Sequence, residues 1–189
     1  MALILIMSLL ISCGSAASDT NTNTSNAVNT EISNDDSQTK KDQYAIGIIQ
    51  LAPHVALDNG YKGFVDALAN RGYVEGENLT LDYNNAQGDQ SNTTTIAQKL
   101  VNAKPDLIFA IATQSAQAVA SQTTDIPIVI TAVTDAAQSG LVKDNNKPDT
   151  NVTGTSDLTP VKEQMELIKE LLPETKSVGV IFNSSEDNS

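Results

Sequence analysis

The sequence has no tryptophan, one cysteine and one histidine, and aromatic residues make up 4% of it. A lone cysteine has no internal disulfide partner, and one His beside one Cys leaves no metal-ligand spacing. Basic side chains are also scarce: 11 Lys and Arg stand against 23 Asp and Glu, a net charge of −12. A partner with a phosphate backbone needs clustered Lys and Arg, so nucleic acid is excluded. No GxGxxG follows the first apolar segment and no GxxxxGK[ST] occurs anywhere, which removes the dinucleotide and nucleoside triphosphate cradles. No cofactor is expected.

Only one long apolar run is present, MALILIMSLLIS at the start of the chain. A bilayer core needs about 20 apolar residues, so this run is too short to span and fits the h-region of a signal peptide. No Lys or Arg precedes it, so either the n-region lacks its charge or the true start lies upstream. It ends in Leu10-Ile11-Ser12-Cys13-Gly14, where small residues flank the only cysteine. That is the pattern of a bacterial lipobox, with Cys13 as lipidation site and 1–13 as lipoprotein signal peptide. The alternative is a plain secretory signal with an incidental cysteine. Residues 14–42 are mostly Ser, Thr, Asn and Asp. They cannot bury enough surface to offset chain entropy and are expected to form a disordered tether.

From Tyr44 onward short apolar runs alternate with amphipathic stretches. Ala45–Ile49, Leu107–Ile111 and Ile126–Ile130 are apolar on both faces, as central parallel strands must be when helices cover both sides. Leu79, Leu81 and Tyr83 alternate and predict a strand nearer an edge. Helices are predicted on Leu57–Leu68, stopped by Gly72; after an Asp89 or Ser91 cap and closed by Pro105; and over Ser115–Thr123. This alternation predicts a doubly wound parallel α/β sheet. After Gly140 comes an irregular crossover, KDNNKPDTNVTGTSD. Thr159-Pro160 then opens a helix with Val161, Met165, Ile168 and Leu172 on one face, and Ser177–Phe182 is predicted as a fifth strand. The expected domains are a first lobe over 43–155 and the start of a second, incomplete lobe over 156–189.

Ligands of open parallel sheets bind beyond the carboxyl ends of the strands. Polar clusters follow each predicted strand: Gln50 and His54; Asn85 and Gln87; Thr113, Gln114 and Ser115; Thr134 and Asp135; and Asn183, Ser184, Ser185 and Glu186. These amides, hydroxyls and few carboxylates suit the hydrogen bonds that hold a zwitterion. A catalytic centre needs an activated nucleophile or a placed acid/base pair, and His54 with Asp135 is the one pairing on offer. Each residue also has a local reading: Asp89 and Ser115 as helix caps, Pro53-His54 as a turn, Thr134-Asp135 as an Asx turn, and Asn183-Ser184-Ser185 as an N-cap.

Six segments in order resemble the tryptophan/tyrosine-type ABC substrate-binding lipoproteins: IGIIQLAPHVALDNGYKGFVDAL, GYVEGENLTLDYNNAQGDQSN, IAQKLVNAKPDLIFAIATQSAQAVA, DIPIVITAVTDAAQSGLV, NVTGTSDLTPVKEQMELIKELLP and VGVIFNSSEDNS. The resemblance implies a type I periplasmic-binding-protein-like lobe and the start of a similar one. The protein would be a non-enzymatic, extracytoplasmic and lipid-anchored solute-binding component, capturing an aromatic amino acid between lobes for a permease and its ATPase. It places Gln50, His54, Asn85, Gln87, Thr113, Gln114, Ser115, Thr134 and Asp135 on the first-lobe wall. Asp157, Asn183, Ser184, Ser185 and Glu186 fall on the second. Asp135, then Glu186, would meet the ligand ammonium, and Ser115 and Ser184 its carboxylate. The chain is about one lobe shorter than the resemblance implies, so a truncation after the first lobe is expected. Alternatives are a ligand-sensing lipoprotein that signals to a partner protein, and an α/β enzyme using His54 and Asp135.

Overall fold

The computed structural model describes residues 42–184. The expected signal peptide with Cys13, the expected tether up to residue 41, Ser185 and Glu186 lie outside the described residues. Five strands and four helices follow in order: β1 (Tyr44–Gln50), α1 (Val55–Ala69), β2 (Leu79–Asn85), α2 (Gln90–Ala103), β3 (Leu107–Ile111), α3 (Thr113–Ala120), β4 (Ile128–Val133), β5 (Val152–Ser156) and α4 (Val161–Leu171). The strands form one sheet in the order β2-β1-β3-β4-β5, and every pairing is parallel.

The winding reverses at β1, so the crossover before the reversal and those after it lie on opposite faces. On one face α1 lays Leu57, Tyr61, Phe64 and Leu68 over Ile46, Ile48, Phe109 and Ile111. Phe64 stacks on Phe109 with ring centroids 4.0 Å apart. On the other face α2 and α3 bring Ala97, Leu100, Ala116 and Val119 onto Ile49, Ile108, Ala110, Ile128 and Ile130. The absence of a side chain at Gly47 allows this approach, since a Cβ there would stand 3.0 Å from Leu100 Cδ2. Alternate residues of β1 and β3 thus feed two cores, which is why Ala45–Ile49 and Leu107–Ile111 are apolar.

Asp89 caps α2 as expected, its carboxylate accepting the Asn92 N–H at 2.7 Å. The Ser115 cap is corrected: α3 begins two residues earlier, at Thr113, and has no side-chain cap. Its flanking Ala112 holds φ at +81°, which breaks the extended run of β3 abruptly.

The fifth strand is a correction in both directions. Ser177–Phe182 forms no strand, and Val178, Val180, Ile181 and Phe182 are exposed. An apolar run becomes a strand only where a neighbour can take its backbone hydrogen bonds. The sheet's fifth strand is instead VTGTS, in the stretch read as irregular. It pairs with β4 across a register shift between Ile130 and Val133, where Ala132 takes φ +53°. Gly154 permits the close pairing, because a Cβ there would lie 2.1 Å from the Ile130 carbonyl oxygen.

Candidate functional site

The carboxyl ends of β1, β3 and β4 and the loops after them form one rim, knitted by backbone hydrogen bonds that continue past the strands. Leu51 N–H reaches Ile111 O, Ala86 N–H reaches Gln50 O, and Ala112 N–H reaches Thr131 O. The crevice between β1 and β3, where strand order reverses, is the topological switch point at which such sheets take ligands.

Three polar side chains at this edge are buried: Gln50, Thr113 and Ser115. Gln50 Oε1, Thr113 Oγ1 and Ser115 Oγ have no hydrogen-bond partner. Most buried polar atoms are satisfied, and an orphan typically costs about 1–3 kcal/mol, so three at one edge of a sheet call for a reason. Beside them α3 starts without a side-chain cap, which leaves the N–H groups of its first turn free to meet an anion. Ala112 and Ala132, both at positive φ, sit at the ends of the neighbouring strands β3 and β4. Such strain at a methyl-bearing residue costs of order 1–3 kcal/mol and collects at ligand sites.

The other expected site residues divide into rim and periphery. Asn85 and Gln87 lie at the end of β2, with Gln87 at φ +59° and its N–H on Asn85 Oδ1 at 2.9 Å. Gln114 is half-buried in the first turn of α3. His54 is exposed and caps α1, Nδ1 accepting the Ala56 N–H at 3.2 Å. Asp135 Oδ1 accepts the N–H groups of Ala137 and Gln138 and the amide of Asn145, each within 3.0 Å. Those donors hold the Asp135 carboxyl below the ordinary carboxylate value. This is the Asx-turn geometry that the sequence allowed, and no hydrogen bond joins His54 to Asp135. Thr134 offers its carbonyl to Ser156 Oγ at 2.6 Å. Asp157 follows β5 directly and is exposed. Asn183 and Ser184 are exposed after a segment that is not a strand, and Ser185 and Glu186 of the same cluster lie outside the described residues.

One residue the sequence reading passed over belongs here. Asp58, in the first turn of α1, accepts a 2.7 Å hydrogen bond from Gln50 Nε2. Gly60 lies against Thr131 of β4, so this turn overhangs the ends of the central strands. The one signal in the sequence is an acid soon after the end of β1, and in a helix's first turn it reads as a dipole partner.

No group of three or more His, Cys, Asp or Glu side chains among the described residues could hold a metal ion. A cavity of about 770 Å³ lies away from the rim, between the second half of α3 and the start of β5, lined by Ser121, Leu141 and Asn151. The rim itself is an open edge. It carries better-formed chemistry than that cavity, whose Asn151 amide is already bonded to Thr123 O and Ile126 O.

The chain is similar to known proteins. The family model described as ABC transporter substrate binding protein matches residues 45–189. A "Tyrosine-binding protein" of Clostridioides difficile (strain R20291) is 50% identical over 158 residues, covering 83% of this chain and 46% of that protein. The crystal structure of an ABC domain in complex with L-Trp from Streptococcus pneumonia is 44% identical, with a TM-score of 0.73 over 77% of this chain and 49% of that one. A ligand-free, open substrate-binding protein with adhesive properties from Clostridium difficile is 51% identical, with a TM-score of 0.66 over 76% and 48%. The chain spans about half the length of these relatives.

Proposed function

The chain belongs to the family of ABC transporter substrate-binding proteins, and on that premise we propose that it binds an amino acid, aromatic in side chain, at the rim between β1 and β3. The observation that carries this reading is the set of unpartnered atoms there. Free N–H groups of α3 and the Thr113 and Ser115 hydroxyls supply donors for a carboxylate. Gln50 Oε1 and the acids of the rim supply acceptors for an ammonium. A ligand with both charges uses both sets, whereas a simple anion leaves the acidic side unanswered. Two of the similar proteins are described with tyrosine and with L-Trp, which fits the aromatic class.

The rest of the reading extends beyond the described residues. The protein would work outside the cytoplasm, tethered through Cys13, enclose its ligand against a second lobe and deliver it to a permease driven by an ATPase. It performs no chemistry on the ligand. His54 is spent on capping α1 and Asp135 on its own turn, so neither is poised as a base.

A thermal unfolding scan against a panel of amino acids at millimolar concentration tests the proposal. Ligand that binds the folded state alone adds about 2.7 kcal/mol at a hundredfold excess over Kd, so L-Trp or L-Tyr raises Tm while acidic amino acids do not. A transition that no amino acid moves refutes it.

A further inference from the structure

We propose that Asp58 is the residue that receives the ligand's ammonium, held in position by Gln50; the inference rests on the amino-acid reading above. Gln50 Nε2 donates one hydrogen to Asp58 Oδ1 at 2.7 Å and the other to Ala52 O at 2.9 Å. Both acceptors fix the amide's orientation, since the flipped amide would set Oε1 against two oxygens. Gln50 is fully buried and Asp58 exposed, so a rigid side chain from the central strand aims a carboxylate that solvent and ligand can reach.

Among the described residues the remaining oxygen, Asp58 Oδ2, has no hydrogen-bond partner and no Lys or Arg pairs with this carboxylate. The nearest base on the same helix face, Lys62, is paired with Asp66. An ammonium presents three donors and no acceptor, so it is the ligand group this site lacks. Asp135, the acid that position along the chain favours, differs in kind. Its Oδ1 already serves two backbone N–H groups and the Asn145 amide, which build the turn after β4. Asp135 shapes a loop, whereas Asp58 is exposed and held by the last residue of β1.

The test is titration calorimetry on the full chain, using L-Tyr, L-Trp and the deaminated analogue 3-(4-hydroxyphenyl)propionate. Asp58→Asn keeps an acceptor for Gln50 and removes only the charge. It weakens amino-acid binding at least tenfold, leaves Tm without ligand unchanged, and abolishes the preference for the amino acid over the deaminated acid. Asp135→Asn costs less than threefold. Gln50→Met, which frees the carboxylate without discharging it, reduces that preference by a smaller factor. Amino-acid binding by Asp58→Asn within threefold of the unsubstituted protein overturns the assignment while leaving the amino-acid reading intact. An unsubstituted protein that binds no amino acid overturns both.

Discussion

Two parts of the chain carry apolar side chains in similar proportion and treat them oppositely. Between Tyr44 and Ser156 the apolar residues of the strands meet helices on both faces, and Ile48, Leu100, Ile108 and Val119 are out of contact with water. Between Leu158 and Phe182 the pattern is as regular, with Val161, Met165, Ile168 and Leu171 along α4, yet no residue of α4 is buried. Amphipathic periodicity specifies which face of an element is sticky. Burial requires a second surface of matching shape, and for a helix most of its stability comes from that surface.

Paired substitutions break or sharpen this contrast. The largest difference is expected between two leucines. Leu100→Ala leaves a cavity against Gly47 and lowers unfolding free energy by about 2–5 kcal/mol, whereas Leu171→Ala changes it by no more than about 0.5 kcal/mol. Urea denaturation of both variants measures the gap, and equal effects would show that α4 has a partner in solution. The second concerns helix starts. Asp89 caps α2, so Asp89→Ala costs about 1 kcal/mol, while Pro160 at the head of α4 makes no side-chain cap and its replacement by Ser is neutral or stabilising.

The smallest effect concerns acid. Asp135 titrates below its ordinary value of 3.8 because three donors face it. A carboxyl with a depressed folded-state pKa adds stability that is complete above the unfolded value and lost as pH falls through the folded one. Asp135→Asn therefore lowers Tm slightly at neutral pH, and the difference from the parent shrinks as pH falls below about 4. A parallel acid limb in parent and variant would refute the role of that turn.

The same contrast marks what the sequence disclosed. β1, β3 and β4 were readable because strands covered on both faces are apolar along most of their length. β5 was not, because an edge strand buries little, and in VTGTS only Val152 is covered. The mistaken strand at Ser177–Phe182 had the composition without the neighbour. Gln50, Thr113 and Ser115 could be named from their places after strands, but not the direction their side chains face. Asp58 escaped because its role depends on a hydrogen bond across eight residues of loop and helix, which no periodicity encodes.

The strand order also sets a clock. β1 lies between β2 and β3 and cannot complete its pairing until Ile111, the partner of Gln50, has been made. At about 5–20 residues per second on the ribosome, those sixty-odd residues take roughly 3–12 s. For that interval one of the most apolar segments of the chain waits with an unpaired edge. A chaperone that recognises extended apolar segments has its best opportunity at Ala45–Ile49, and the interval closes when β3 arrives.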